Sequence, residues 1–318
     1  LKGLLPPVPA TISMQVEAMM EQLRAFDTPF QKALFLDGLR SSNETLYFRL
    51  LLEHIEEVLP LVYTPTVGEV CQKFSHLFRF AKGLYLSIED KGHVSEILEN
   101  LPQEAVDMIV VTDGQRILGL GDLGINGMGI PVGKLALYTA CAGVDPRRTL
   151  PVILDVGTNT ERYLNDPLYL GHKHPRVSGQ EYDDFIEEFF QSVYKKWPKC
   201  VVQFEDFGNN HAFDLLARYR SRYCCYNDDI QGTASIVVSG FFSAMRAKKS
   251  KLSNEKILFL GAGEAATGVA GLIADAMVED GLSREDALAR LYLFDSKGLV
   301  TTTRGDTLAA HKLPFAKD

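Results

Sequence analysis

No run of 18 apolar residues, about the length a membrane-spanning helix needs, occurs in the sequence, so neither a transmembrane segment nor a membrane partner is expected. A basic excess is absent too: 33 Lys and Arg face 41 Asp and Glu, for a formal net charge of −8. Nucleic acid would ask for a basic face, so it is not expected as a partner. Cysteine is scarce, with five copies in apolar settings: Cys71, Cys141, Cys200, Cys224 and Cys225. Buried, reduced thiols in an intracellular protein are expected, with the adjacent Cys224 and Cys225 in strand core. Missing as well are a starting Met and a signal-peptide pattern, for the sequence opens Leu1-Lys2-Gly3-Leu4-Leu5-Pro6-Pro7. That opening looks trimmed, so a cytoplasmic location is expected, or a mitochondrial one if a transit peptide has been removed. What is plentiful is apolar material: 46% of the 318 residues are hydrophobic, ample for a large core and roughly two domains.

Residues 12–60 carry helical periodicity. Asp27-Thr28-Pro29 opens one helix with a cap and an early proline, and Ser42-Asn43-Glu44 opens the next. No catalytic constellation occurs there, so a packing or assembly module is expected over 1–81. At its end, in Val62-Tyr63-Thr64-Pro65-Thr66-Val67-Gly68, Thr64 is expected to cap a helix begun by Pro65, leaving Tyr63 just outside it. A Tyr so placed is by itself more often a packed core residue than a catalyst.

The pattern then turns to α/β. Strands are expected at 83–88, 108–113 and 151–157. Between the second and third lies the densest glycine run, from Arg116 to Leu137, where backbone can approach a ligand closely. It closes in a helix with Pro131 in its first turn. Lys134 would sit near that helix's N-terminus, where the dipole disfavours its charge and makes it a candidate general base. The alternative is a snorkelling surface lysine. Residues 165–179, with His172 and His174, are expected to form a polar loop, and Glu181 to Trp197 an amphipathic helix.

The centre of the chain is acidic. Cys200-Val201-Val202-Gln203-Phe204-Glu205-Asp206 and Cys224-Cys225-Tyr226-Asn227-Asp228-Asp229 are short apolar runs that each end in paired carboxylates, with a helical pattern between them. Strand, helix, strand implies parallel strands, so Glu205, Asp206 and Asp229 emerge at one sheet edge, where α/β sheets place ligands. A hard divalent cation, Mg²⁺ or Mn²⁺, would join such charges. Two solvated acidic loop ends would look the same.

After an apolar helix, Lys256 to Leu260 feeds Gly261-Ala262-Gly263-Glu264-Ala265-Ala266, a glycine-rich turn between a strand and a helix. With a second strand ending at Asp295, this context fits a dinucleotide-binding βαβ unit built on Gly261, Gly263, Ala265 and Ala266. Asp295 alone points to NAD, whereas Ser296, Lys297, Arg304 and Lys312 beyond it could hold the 2′-phosphate of NADP. The sequence stops at Asp318, after only the first such unit.

Taken together, Gly3 to Pro7, Tyr63 to Gly68, Gly119-Leu120-Gly121-Asp122-Leu123-Gly124 and Gly261 to Ala266 resemble the malic enzymes over nearly the whole chain. These enzymes oxidatively decarboxylate malate to pyruvate and CO₂ with NAD or NADP. The resemblance implies an α/β protein with a helical amino-terminal domain (1–81), a parallel-sheet substrate and metal domain (82–229) and the start of a Rossmann-like dinucleotide domain (230–318). It implies Glu205, Asp206 and Asp229 as ligands of Mg²⁺ or Mn²⁺, and Lys134 as the base that takes the malate hydroxyl proton. It also implies Tyr63 as the acid that protonates the enolpyruvate carbon, Arg116 as a malate carboxylate clamp, and Asp228 as a carboxylate supporting Lys134. Asn209, in Asn209-Asn210-His211 where the family usually has Asn-His-Asn, keeps its place as a substrate contact. NADP rather than NAD is implied by Ser296 after Asp295 and by Lys312 further on. A homodimer or homotetramer is expected, with malate and pyruvate as the small-molecule partners. Because the family's carboxyl-terminal part is missing, this stretch by itself can lack activity even where its parent has it. Two rivals remain: a metal-assisted dehydrogenase of another hydroxy acid, and a folded assembly module without catalysis.

Overall fold

Two units, Leu1–Val202 and Gln203–Asp318, make up the computed structural model, which describes residues 3–4 and 6–318. Leu1, Lys2 and Leu5, and with Leu5 part of the opening motif, lie outside the described residues.

The first unit begins with helices α1 (Ile12–Arg24), α2 (Pro29–Ser42), α3 (Glu44–Glu53), α4 (Ile55–Val62), α5 (Thr66–Gln72) and α6 (Phe74–Leu77). Local chemistry sets their starts. Thr28 and Gln31 form a capping box with Pro29 in the first turn of α2, and the Asn43 side chain accepts from the Leu46 N–H to open α3. A break at His54 divides α3 from α4. Thr64 does not cap the helix that follows. Pro65 takes the N-cap position of α5, and the Val67 N–H reaches the Tyr63 carbonyl at 2.9 Å, so backbone does the work expected of the threonine.

Next come β1 (Leu84–Ser87), α7 (Val94–Glu99), β2 (Met108–Thr112), α8 (Gly129–Ala142), β3 (Thr149–Asp155), α9 (Glu161–Leu164) and α10 (Gln180–Lys196). Strand β3 pairs in parallel with β1 on one side and β2 on the other, and every residue of it is buried. A strand covered on both faces reads as the continuous apolar run seen in the sequence. The helical start packs onto α8, because Ala136 shares one core cluster with Val16, Leu23, Leu50 and Val58.

The division between units falls inside β4 (Val201–Phe204). The second unit continues with α11 (Asn209–Tyr219), β5 (Cys225–Asn227), α12 (Thr233–Lys248), β6 (Ile257–Leu260), α13 (Glu264–Glu279), α14 (Arg284–Ala289), β7 (Leu291–Asp295) and β8 (Gly298–Leu299). Strands β4 and β5 are neighbours in a sheet. In the dinucleotide segment β6 and β7 pair in parallel, and β8 turns back antiparallel on β7. Their core is Ala270, Ile273, Met277, Leu291 and Leu293, all fully buried.

All five cysteines are free, but only Cys71 and Cys200 are buried. Cys141 and Cys224 are exposed and Cys225 is half-buried, because Cys224 lies in the bend before β5 rather than in strand core. Among the described residues, no helix is long and apolar enough to cross a membrane.

Candidate active site

Tyr63 and Lys134 come together in the first unit. Tyr63 ends α4, Lys134 is the sixth residue of α8, and the lysine Nζ stands 5.3 Å from the centre of the tyrosine ring. As the sixth residue of α8, Lys134 lies in its second turn, just beyond the first turn in which the helix dipole acts most strongly. The neighbouring glycine makes the approach possible. A Cβ on Gly133 would stand 2.8 Å from Tyr63 Cδ2 and 2.8 Å from the Val62 carbonyl oxygen. Sequence showed only that glycine is dense here; which side chain uses the space is a tertiary fact. Arg116 also belongs to this unit, exposed on the loop after β2.

The acidic residues lie in the second unit. Glu205 and Asp206 follow β4 and are buried, at 4% and 8% exposure. Gln203 Nε2 donates to Glu205 Oε2, and Tyr226 Oη donates to Gln203 Oε1 at 2.7 Å, so a side chain from β5 steadies the amide that orients the glutamate. The Asp206 N–H donates to Asp229 Oδ2 at 2.8 Å, linking the two strand ends. Asp206 has φ +56°, a sparsely populated conformation that Asp tolerates better than most residues and that recurs at functional sites. Asp228 and Asp229 open a π-helical turn, Asp228–Gly232, capped by Asn227 Oδ1 on the Ile230 N–H at 2.9 Å. That turn lies against the dinucleotide helix: a Cβ on Gly268 in α13 would stand 2.5 Å from the Ile230 carbonyl oxygen. Asn209 is the exposed first residue of α11.

Carboxylates on adjacent strand ends, buried after β4 and half-buried after β5, are a donor set that suits a hard divalent cation. As the side chains stand, no three His, Cys, Asp or Glu groups among the described residues converge to hold one.

At the glycine-rich turn, Gly261 has φ +129°, and nothing stands within 4 Å of where its Cβ would be. Gly263 is the N-cap of α13, and Ala265 and Ala266 lie in the first turn. An open turn at a helix N-terminus is an anion site suited to a pyrophosphate. At the end of β7, Asp295 is tied down by cations. Arg304 Nη1 reaches its two oxygens at 2.8 and 2.9 Å, and Lys312 Nζ reaches Oδ2 at 2.9 Å. Arg304 first and Lys312 second hold this carboxyl well below its ordinary range. Ser296 is exposed beside it.

The family model described as "Malic enzyme, N-terminal domain" matches residues 40–220, and "Malic enzyme, NAD binding domain" matches residues 230–318. The chain belongs to the malic enzyme family. Among curated malic enzymes, the NADP-dependent malic enzyme of Dictyostelium discoideum is 51% identical over 318 residues, covering 100% of this chain and 58% of its own length. The human NADP-dependent malic enzyme is 50% identical over 319 residues, covering 100% and 56%. The NAD-dependent malic enzyme 2 of Vibrio vulnificus is also 50% identical, over 317 residues, again covering 100% and 56%. The chain therefore spans little more than half the length of these curated relatives. Among solved structures, the malic enzyme of Entamoeba histolytica superposes with a TM-score of 0.51 over 97% of this chain and 53% of its own, at 21% identity, a likeness of fold.

Proposed function

We propose that the complete protein oxidatively decarboxylates L-malate to pyruvate and CO₂ while reducing NADP. The observation that carries the reading is the Lys134–Tyr63 pair, a base and an acid 5.3 Å apart, ammonium to ring centre, on an α8 surface opened by Gly133. In this reading Arg116 binds a malate carboxylate. Lys134 takes the C2 hydroxyl proton as the C2 hydrogen leaves, and the resulting ketone sits beta to the carboxylate that departs as CO₂. Tyr63 then delivers a proton to C3 of the enol, which becomes the methyl group of pyruvate. A separate acid is needed because that proton goes to carbon rather than back to the oxygen. Glu205, Asp206 and Asp229 would hold Mg²⁺ or Mn²⁺, Asp228 would support Lys134, and Asn209 would contact substrate. When bound, the cation supplies Lewis acidity towards the C2 oxygen, and the dinucleotide supplies the acceptor for the hydrogen and electron pair from C2.

For the cofactor, the Asp295 cluster supports NADP. A carboxylate engaged by Arg304 and Lys312 is a poor partner for a ribose hydroxyl, and one anion beside two cations leaves positive charge for a phosphate. Losing one charge-assisted contact costs roughly tenfold or more in binding, so Lys312→Gln is expected to raise the NADP Michaelis constant by that much and the NAD constant far less. Equal effects on the two would remove Lys312 from cofactor choice. The three segments 1–81, 82–229 and 230–318 would divide assembly, substrate and metal binding, and dinucleotide binding between them, in a homodimer or homotetramer.

The deciding experiment is NADPH formation from L-malate with Mn²⁺, with metal-free, NAD and other-hydroxy-acid arms. Metal-dependent NADPH formation from malate supports the reading. Turnover of isocitrate, lactate or tartrate in preference to malate overturns the substrate, and preference for NAD overturns the cofactor.

A further inference from the structure

Arg176 lies in the polar 165–179 loop, where no motif marks it, yet its side chain is only 5% exposed. It pairs with two carboxylates distant in sequence: Asp113 Oδ2 at 2.8 Å and Asp122 Oδ1 at 3.2 Å. It also donates to the carbonyls of Asp113 at 2.9 Å and Gly157 at 3.3 Å. Asp113 and Asp122 flank the loop that carries Arg116. Each carboxylate is further engaged. Tyr182 Oη donates to Asp113 Oδ2 at 3.0 Å and the Gln115 N–H to Oδ1 at 3.0 Å, while the Asn159 N–H donates to Asp122 Oδ2 at 2.7 Å and the Gly124 N–H to Oδ1 at 2.9 Å. A buried guanidinium is costly unless paired, and the two aspartates share in offsetting that cost, with Asp113 the closer and more deeply buried partner.

The loop so clamped is held in an unusual shape. The Leu123 N–H donates to the Gly114 carbonyl at 2.9 Å and the Ile117 N–H to the Gly121 carbonyl at 3.0 Å. Gly114 has φ +71°, and a Cβ there would come within 2.1 Å of the Gly124 oxygen, so the loop's two limbs touch backbone to backbone. Leu118, near the tip, takes φ +49°, a conformation a leucine keeps only when its surroundings impose it. Arg116 sits exposed on the limb that leaves Asp113.

We infer that Arg176 is a positioning residue: by bracing Asp113 to Asp122 it closes the 114–121 loop and holds Arg116 where the substrate carboxylate binds. The inference rests on the proposed function. Its test compares Arg176→Lys, Asp122→Asn and Arg116→Ala, singly and combined, in the complete protein. Asp122→Asn keeps the Arg176–Asp113 pair and so provides a folded variant if Arg176→Lys is not. Either brace variant is expected to raise the malate Michaelis constant roughly tenfold, with kcat and the NADP constant within about threefold of the parent. In the Arg116→Ala background the same substitutions should add little, because they act through Arg116. Additive effects in that background, or equal rises for malate and NADP, would mean a general structural brace and overturn the inference. A parent with no malate turnover overturns the functional reading instead, and the inference with it.

Discussion

Lys134→Ala is expected to lower kcat by about a hundred- to ten-thousandfold, the range general acid–base groups contribute. Metal affinity should stay near that of the parent, because the acidic residues follow β4 and open the turn after β5, in the other unit. Removing the lysine takes away both the proposed base and the cation over the Tyr63 ring. A steady-state rate together with a Mn²⁺ titration checks this. A near-parental rate would remove Lys134 from proton transfer. Lost metal binding would mean that the change acts through folding.

Gly133→Ala is the more discriminating substitution, because two effects of opposite sign compete. Inside a helix, alanine is favoured over glycine by roughly 1 kcal/mol, so propensity alone would stabilise the variant. Against that, the new methyl group would stand 2.8 Å from Tyr63 Cδ2 and 2.8 Å from the Val62 carbonyl oxygen. The ring can turn aside, but the carbonyl is backbone, and the end of α4 must move with it. Overpacking of this kind costs about 1–3 kcal/mol, so a net loss of stability is expected, seen as a melting temperature lower by a few degrees. The rate should suffer more, since displacing a catalytic group by about 1 Å costs on the order of a hundredfold. The signature is a large fall in kcat with a small fall in Tm. A raised Tm with parental kcat would show that the contact relaxes freely and does not place Tyr63.

Much of this protein was legible before its structure, and the legible part is local. Caps at Thr28 and Asn43, the apolar run of β3 and the strand–turn–helix around Gly261 are each written in a few consecutive residues. Even so, the prediction at Thr64 shows the limit of a local rule: a capping residue before a proline was overruled by a backbone bond from Val67 to Tyr63. Cys224 shows another limit, since an apolar setting in sequence became an exposed bend in space.

By itself, then, the sequence determined the succession of helices and strands, the acidic centre, the dinucleotide turn and membership of the malic enzyme family, because these rest on periodicity, caps and contiguous motifs. Only the tertiary structure decided that Gly133 makes room for Tyr63, that Arg304 joins Lys312 on Asp295, and that Arg176 braces Asp113 and Asp122 from 63 and 54 residues away. The physical reason is that such pairings have no period and no spacing. They exist only once the folded backbone has brought distant segments within hydrogen-bonding or van der Waals reach.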